Sequence, residues 1–405
     1  MRTYNLVFGM LCLVFLPKTY GQTIDELIQM AKEHNPGLKA MQLEYQAALE
    51  KANQVKDFPD PRINLGIGVL PIETRLGAQI FKLGVSQPLP WKGLLDARSN
   101  VMEAQAKVLS QNDAVKEKDI AYSIRNAYAQ LILLDKQRTL INEKLEILSI
   151  LDELAQSNVR SGKGKLSHVL LVERSREMLT ADQDLLTKKK EVPTIMINRW
   201  TGRSLDQDIQ VIDEIVTPVS VDEYLNYAQS NHPKLDMFRH QIEASKSKVT
   251  LTHLENKPRI GVGLDYAMIK GRNDAIPSNG RDIVMPMGSI TVPLHTKRFE
   301  AKRQEERIKQ EMVEQKMNDT KEAYISEIVK ALSDIEYADQ EIEKLNRLKD
   351  ITRETIDLMR QEYASEGTRF EELLRLEMEL VDYDAGIISS EFRRDLASAT
   401  ILKYQ

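Results

Sequence analysis

The sequence predicts a mainly α-helical fold that carries a pair of β-hairpins, and three observations lead to this fold class. Two stretches, 94–160 and 294–366, contain neither glycine nor proline over 67 and 73 residues. By contrast, 19 of the 32 glycines and prolines fall in the short segments 59–93 and 258–293. The 405-residue chain also repeats itself once along its length. Stretches without helix breakers favour helices, so each repeat is expected to combine long helices with one hairpin.

Composition excludes several classes of function. The chain is 42% hydrophobic and 29% charged, which is enough apolar residue to bury a core. Its formal net charge of −5 argues against a nucleic-acid partner. A single cysteine, Cys12, rules out a disulfide framework and a cysteine-rich metal site. Because common catalytic and nucleotide-binding motifs are missing, we predict neither an enzyme nor a bound cofactor.

The first 21 residues are predicted to be a secretory signal peptide. Arg2 precedes an apolar run, 6–16, which is followed by Pro17 and then by Thr19-Tyr20-Gly21. A basic start, a short apolar segment and small residues at the end are typical of a cleaved signal. Eleven apolar residues are too few for a helix that spans a bilayer. The alternative is a buried N-terminal helix.

The remainder of the chain is predicted to be two structural repeats, 22–219 and 220–405. A shift of 197 residues places 23–66 on 220–263 without a gap and with 11 identities in 44 positions. Each repeat reads as a short helix, a second helix, two strands, a very long helix, a tight turn and a returning helix.

The predicted strands alternate between apolar and small or polar residues. They are 62–70 and 79–87 in the first repeat, and 259–268 and 283–293 in the second. Runs of about nine alternating residues suit a transmembrane β-strand, although a soluble sandwich would also alternate. Export favours the membrane interpretation, with 71–78 and 270–282 as outer turns. The lipid-facing side chains are then expected to be Ile63, Leu65, Ile67, Val69, Phe81, Leu83 and Val85.

Four strands per chain cannot close a barrel. Open strand edges are not tolerated in lipid, and the smallest membrane barrels have about eight strands. Several chains must therefore each contribute four strands, and three chains would form a barrel of twelve.

The helical stretches are predicted as long helices, 94–160 and 297–364, with returning helices, 166–200 and 370–403. From Ile120 to Val159, ten of the twelve positions at spacings of four and three are apolar, as in a heptad seam, and the exceptions are Arg138 and Asp152. At 1.5 Å per residue a 67-residue helix is about 100 Å long. An ordinary antiparallel coiled coil would show the same pattern.

The signal, the two repeats and the run Gly-Val-Ser-Gln-Pro-Leu-Pro-Trp at 84–91 closely resemble the TolC family of outer-membrane efflux ducts. The entrance to the first strand, Pro59-Asp60-Pro61, looks most like the heavy-metal (Cus/Czc-type) branch. The resemblance implies a homotrimer with a 12-stranded barrel in outer-membrane lipid and a 12-helix tunnel across the periplasm. It also implies a periplasmic adaptor protein and an RND-type pump in the inner membrane as partners. The alternative function is a non-channel periplasmic coiled-coil adaptor or scaffold.

The resemblance places a gate at the turns between the long and returning helices. In this family a tyrosine and an arginine beside the second turn hold the entrance closed, and Tyr363 and Arg369 match them. Acidic residues after that turn would form a ring that attracts cations, and the choice between Glu371 and Glu372 stays open. Acids are also favoured at any helix start. The candidate gate residues are Gly162, Gly164, Tyr363, Glu366, Gly367, Arg369, Glu371 and Glu372.

Two methionines are candidate ligands for a transported metal. Met285 and Met287 share the parity of Ser289 and Thr291, which places them on the lumen side of the last strand. Thioethers bind soft ions such as Cu(I) and Ag(I). The alternative is that a bulge or Pro286 turns both side chains towards lipid.

Overall fold

Long helices and one four-stranded sheet form the part of the chain that the computed structural model describes, residues 21–212, 221–273, 277–366 and 368–404. The predicted mainly α-helical fold with two hairpins is confirmed. Apart from Gly21, the predicted signal peptide lies outside the described residues. The helices are α1 Ile24–His34, α2 Pro36–Gln54, α3 Leu94–Arg160, α4 Leu166–Lys189, α5 Glu191–Thr201, α6 Val221–Ser230, α7 Pro233–Glu255, α8 Lys297–Glu366 and α9 Phe370–Leu402. The strands are β1 Arg62–Thr74, β2 Gly77–Leu89, β3 Arg259–Lys270 and β4 Ile283–Thr291.

Local sequence signals explain where several helices begin and end. Before α1, the Thr23 hydroxyl accepts from the backbone N–H of Glu26 (3.2 Å), and the Glu26 carboxylate accepts from the N–H of Thr23 (3.1 Å). This reciprocal pair is a capping box. The helices α3 and α8 fill the stretches without glycine or proline. Within the described ranges, no helix is both long and apolar enough to cross a bilayer.

The predicted returning helix 166–200 is instead two helices that meet at Lys190. Pro193 lies in the first turn of α5 and has no backbone N–H to donate to the preceding turn. Proline is tolerated in a first turn but not in a helix interior, so its position suits a new helix start.

The sheet has the strand order β1-β2-β3-β4, and every neighbouring pair is antiparallel. The predicted outer turn 71–78 is shorter than expected, because β1 continues to Thr74 and β2 already begins at Gly77. A register shift between Ile67 and Ile72 absorbs the additional residues. Gly77 has φ +127°, a conformation that favours glycine and lets the chain reverse tightly.

The chain forms two compact units, and each takes residues from both sequence repeats. In the first unit, described residues of 21–33, 123–212 and 336–396 bury the apolar positions of α3, α4, α8 and α9. Its core includes Leu148, Leu151, Ala155, Val172, Leu179, Ile356, Met359, Leu373 and Leu380.

The second unit contains the sheet together with the described residues of 34–122, 221–335 and 397–404. Small clusters form its helical core, in which residues of α7 pack on α8 and residues of α6 pack on α8 and α9. Their buried members include Tyr224, Ala228, Leu235, Phe238, Val313, Ile328, Ala331 and Ile401.

Candidate functional site

The turn between α3 and α4 depends on its two glycines. Gly162 has φ +74°, the left-handed conformation that glycine adopts at a helix end. The backbone N–H groups of Lys163 and Gly164 both donate to the carbonyl oxygen of Asn158, each at 2.9 Å. A Cβ added to Gly164 would lie 2.9 Å from the Cβ of Asn158, so a larger residue would displace this turn.

The turn between α8 and α9 centres on Arg369, while Gly367 lies outside the described residues. Arg369 has φ +62°, which costs a non-glycine residue about 1–2 kcal/mol. Its guanidinium donates to one carboxylate oxygen of Glu372 from Nε (3.0 Å) and Nη2 (2.8 Å) and lies 3.5 Å from a carboxylate oxygen of Glu362. The bond to Glu372 raises the pKa of Arg369 further above its ordinary value. Two carboxylates therefore hold one exposed guanidinium at this turn.

The two turns contact each other within the first compact unit. The Lys163 ammonium donates to the carbonyl oxygen of Ser365 at 3.3 Å, and the Asn158 amide donates to the carbonyl oxygen of Tyr363 at 3.4 Å. Hydrogen bonds thus join the α3–α4 hairpin to the α8–α9 hairpin.

Three buried aromatic rings reinforce this connection. The His168 ring stacks on Phe370 with centroids 4.8 Å apart, and Phe370 also packs on Tyr363 at 4.8 Å. The Nδ1 atom of His168 lies 3.3 Å from the Tyr363 hydroxyl. Burial lowers the pKa of His168, with Lys165 acting in the same direction and Glu371 opposing it.

Tyr363, which was predicted as a latch residue of the gate, lies in the hydrophobic core of the first unit. The residue is only 1% exposed, and burial raises the pKa of its hydroxyl. Its ring faces the interior of the hairpin pair, because His168 and Phe370 enclose it. Arg369, by contrast, is exposed. The structure therefore separates the two predicted latch residues into a packing residue and a surface residue.

The acids at this turn are also not equivalent. Glu372 is half-buried and holds Arg369, whereas Glu366 and Glu371 are exposed. In the described part of the chain, no ion pair involves Glu371. The two acids between which the sequence did not decide, Glu371 and Glu372, therefore differ in exposure and in ion pairing.

The sheet in the second unit has one apolar and one polar face. Ile63, Leu65, Ile67 and Val69 on β1 are 65–91% exposed. The register pairs Ile63 with Val85, Leu65 with Leu83 and Ile67 with Phe81. Six of the seven predicted lipid-facing residues therefore lie opposite one another on one face of the sheet. The seventh, Val69, falls within the register shift. Large apolar side chains that remain exposed on a regular strand suit contact with lipid.

Both methionines lie on the polar face. The β3–β4 register continues without a shift from Arg259 to Ala267, with Met285 opposite Asp265 and Met287 opposite Gly263. Pro286 lies opposite Leu264 on the apolar face. No bulge therefore turns the methionines around, and the two residues are 47% and 41% exposed. Among the described residues, no group of three His, Cys, Asp or Glu side chains could hold a metal ion.

Sequence reasoning missed an ion pair on the same polar face. The Lys82 ammonium lies 2.5 Å from a carboxylate oxygen of Asp265, whose side chain is 7% exposed. Gly84 lies directly opposite Asp265, and a Cβ there would come within 2.6 Å of the carboxylate. The parity of Lys82 and Asp265 was visible in the sequence, but their contact depends on the pairing of strands from different repeats.

The chain matches one protein family over more than half of its length. The sequence profile of the family described as "Outer membrane efflux protein" matches residues 27–195 and 224–368. No curated protein sequence matches the chain.

Solved structures of outer-membrane channels share the fold over nearly the whole chain. CusC, described in terms of folding and transmembrane channel formation, is 15% identical with a TM-score of 0.75, covering 94% of this chain and 91% of its own. The outer membrane protein VceC from Vibrio cholerae is 16% identical with a TM-score of 0.72, covering 94% and 96%. The open state of the Neisseria gonorrhoeae MtrE channel is 15% identical with a TM-score of 0.71, covering 94% and 88%.

Proposed function

The chain belongs to the outer membrane efflux protein family, and on that premise we propose that three copies assemble into the export duct of a tripartite efflux system. It is an outer-membrane efflux channel with a periplasmic tunnel, and its function is transport without covalent chemistry. The family assignment decides against the alternative of a non-channel adaptor or scaffold. Energy for export then comes from a partner pump, while the duct provides a water-filled path.

The observation that carries the assembly of several copies is the open sheet. β1 and β4 each pair on one side only among the described strands, although the face they share is apolar. Unpaired backbone groups are costly in lipid, so β1 of one copy must pair with β4 of the next until the sheet closes. Three copies, the number that the family resemblance implies, would close it at twelve strands, within the known range of membrane barrels.

The test combines crosslinking with single-channel recording. Purified protein in detergent should crosslink as a trimer, and it should form channels of defined conductance in planar bilayers. A protein that crosslinks only as a monomer and does not conduct would contradict the assembly. The proposed partners are a periplasmic adaptor and an RND-type pump. They should co-purify with the trimer and not with the monomer.

The paired turns of the first unit are the proposed periplasmic entrance. In a trimer, three copies of the exposed Glu366 and Glu371 would surround the opening and attract cations. Arg369 is exposed and forms ion pairs with Glu362 and Glu372, and these pairs stabilise the α8–α9 turn. Tyr363 acts within each chain by packing on His168 and Phe370, which keeps the two hairpins together.

Soft metal cations are the proposed cargo, and the uninterrupted β4 register is the observation that favours them. It places two thioethers on the polar face of each chain, where Cu(I) or Ag(I) could bind in transit. Replacing Met285 and Met287 together with leucine should lower the copper and silver tolerance of producing cells. Met268→Leu is the matched control, since Met268 lies on the opposite face with Phe81. Unchanged tolerance in the double variant would remove the cargo proposal and leave the duct intact.

A further inference from the structure

We propose that the Lys82–Asp265 ion pair neutralises the middle of the strands on the lumen side of the barrel, so that this part of the lumen favours neither cations nor anions. The proposal rests on the trimeric channel proposed above. The lumen pair acts separately from the acids at the periplasmic turns, so charge selection in the wild-type channel would arise at those turns and not in the middle of the barrel.

The face of the sheet determines which solvent this pair meets. Paired positions on the polar face carry Asn64, Gly84, Asp265 and Met285 in one row across the four strands. The opposite face carries the exposed apolar side chains. When the apolar face contacts lipid, the polar face encloses water. Lys82 and Asp265 therefore face the lumen.

Away from the strand starts, Lys82 and Asp265 are the charged residues of that face in the described strands. The other charged residues on it, Arg62 and Arg259, are the first residues of β1 and β3 and pair with Ser86 and Thr291. Lys82 pairs with Gly66 and Ala267, and neither neighbour adds a charge. In a trimer, the interior of the barrel would hold three such ion pairs.

The packing shows how the pair is arranged towards the lumen. The Asp265 side chain is 7% exposed and lies over Gly84, where only a glycine leaves space for the carboxylate. The Lys82 side chain is 46% exposed. A permeating ion therefore meets the lysine head with the aspartate directly beneath it. Removing either partner leaves three copies of an unopposed charge around the water path.

An unopposed charge of this kind has a measurable effect on permeation. A unit charge about 5 Å from an ion in water changes the local ion concentration about fourfold. At physiological salt it acts over about 8 Å. We therefore expect each single substitution to change the potassium-to-chloride permeability ratio by at least about threefold.

The experiment measures this ratio for single channels under a potassium chloride gradient. Lys82→Gln should shift the ratio towards potassium, Asp265→Asn should shift it towards chloride, and the double variant should return to the wild-type ratio. Lys270→Gln is the matched control, because Lys270 ends β3 on the opposite face and should leave the ratio unchanged. Gly84→Ala should displace the carboxylate without changing any charge, and it should shift the ratio less than either single substitution.

The outcomes distinguish this proposal from the channel itself. Conducting Lys82→Gln channels with an unchanged ratio would overturn it, as would equal shifts from Lys82→Gln and Lys270→Gln. Lys82 is half exposed, so this variant tests the idea even if Asp265→Asn fails to assemble. A wild-type protein that does not conduct would instead contradict the proposed duct.

Discussion

His232 caps helix α7 at the repeat position where Asn35 caps helix α2. A shift of 197 residues aligns the two, and each directly precedes a proline. The Asn35 side-chain oxygen accepts from the N–H groups of Gly37 (2.9 Å) and Leu38 (3.1 Å). His232 Nδ1 accepts from the N–H of Lys234 at 3.2 Å. An asparagine cap works at any pH, whereas a histidine cap needs a neutral ring, because a protonated Nδ1 cannot accept.

The first prediction is that stability falls in acid because of His232. Burial lowers the pKa of His232 from 6.5 to about 4, and Lys118 acts in the same direction. A base whose pKa is depressed by folding takes up its proton more readily in the unfolded chain. The stability is therefore complete above about pH 6.5 and decreases as the pH falls towards 4, by at most about 3 kcal/mol.

Thermal melting of wild type and His232→Asn at pH 7, 5.5 and 4.5 measures this effect. The asparagine variant should keep the cap, as Asn35 does, and lose less stability in acid. Asn35→Ala is the control for a cap that does not titrate, and its cost of about 1 kcal/mol should be independent of pH. Parallel pH profiles for wild type and His232→Asn would show that His232 is not the titrating group.

Much of the fold was predictable because its signals are local. The absence of glycine and proline defines α3, and apolar alternation defines β1 as far as Ile67. The break at Lys190 also had a local signal, Pro193, which the helical composition around it concealed. The register shift after Ile67 coincides with Gly68 and Pro71, but neither residue fixes which positions pair, so the predicted turn 71–78 was too long.

The candidate site was less predictable because its contacts join distant segments. His168 and Tyr363 are 195 residues apart in sequence, yet their side chains meet across two hairpins. Lys82 and Asp265 meet because β2 pairs with β3, which is a pairing between repeats. Spacing within one repeat contains no information about such a pairing. Glycine positions did predict the α3–α4 turn, since Gly162 acts through its own backbone conformation.

The second prediction is that Arg369, and not the hydroxyl of Tyr363, keeps the entrance closed. Arg369→Ser removes the cation between Glu362 and Glu372, so the second turn should loosen and the entrance should conduct more often. Arg369→Gly should have the same effect on conduction, and it should also remove about 1–2 kcal/mol of left-handed strain. Single-channel open probability and thermal melting measure the two effects.

Tyr363→Phe is the companion variant. It keeps the ring that packs on Phe370 and removes only the hydroxyl near His168, at a cost of about 1 kcal/mol. Its open probability should match that of wild type. An increase as large as that of Arg369→Ser would restore Tyr363 as a latch at the entrance.

The third prediction concerns which acid selects cations. Glu371 is exposed, whereas the Glu372 carboxylate is occupied by Arg369. Glu371→Gln should therefore lower the potassium-to-chloride permeability ratio more than Glu372→Gln does. Glu372→Gln should instead raise open probability, since it releases Arg369. Equal changes in the ratio from both variants would contradict this division of roles.

The fourth prediction tests the lipid face of the sheet. Leu65 is 70% exposed on the apolar face, opposite Leu83. Arginine at a lipid-facing position near the bilayer midplane costs about 2–4 kcal/mol. Leu65→Arg should therefore reduce the fraction of protein that folds into lipid vesicles, measured as the heat-modifiable band in electrophoresis.

Asn64→Arg is the matched control one residue away. Asn64 lies on the polar face opposite Gly84, so a cation there would meet water and the nearby Asp265 carboxylate. If the two variants insert equally well, the assignment of faces is wrong, and the lumen positions of Lys82 and both methionines are wrong with it.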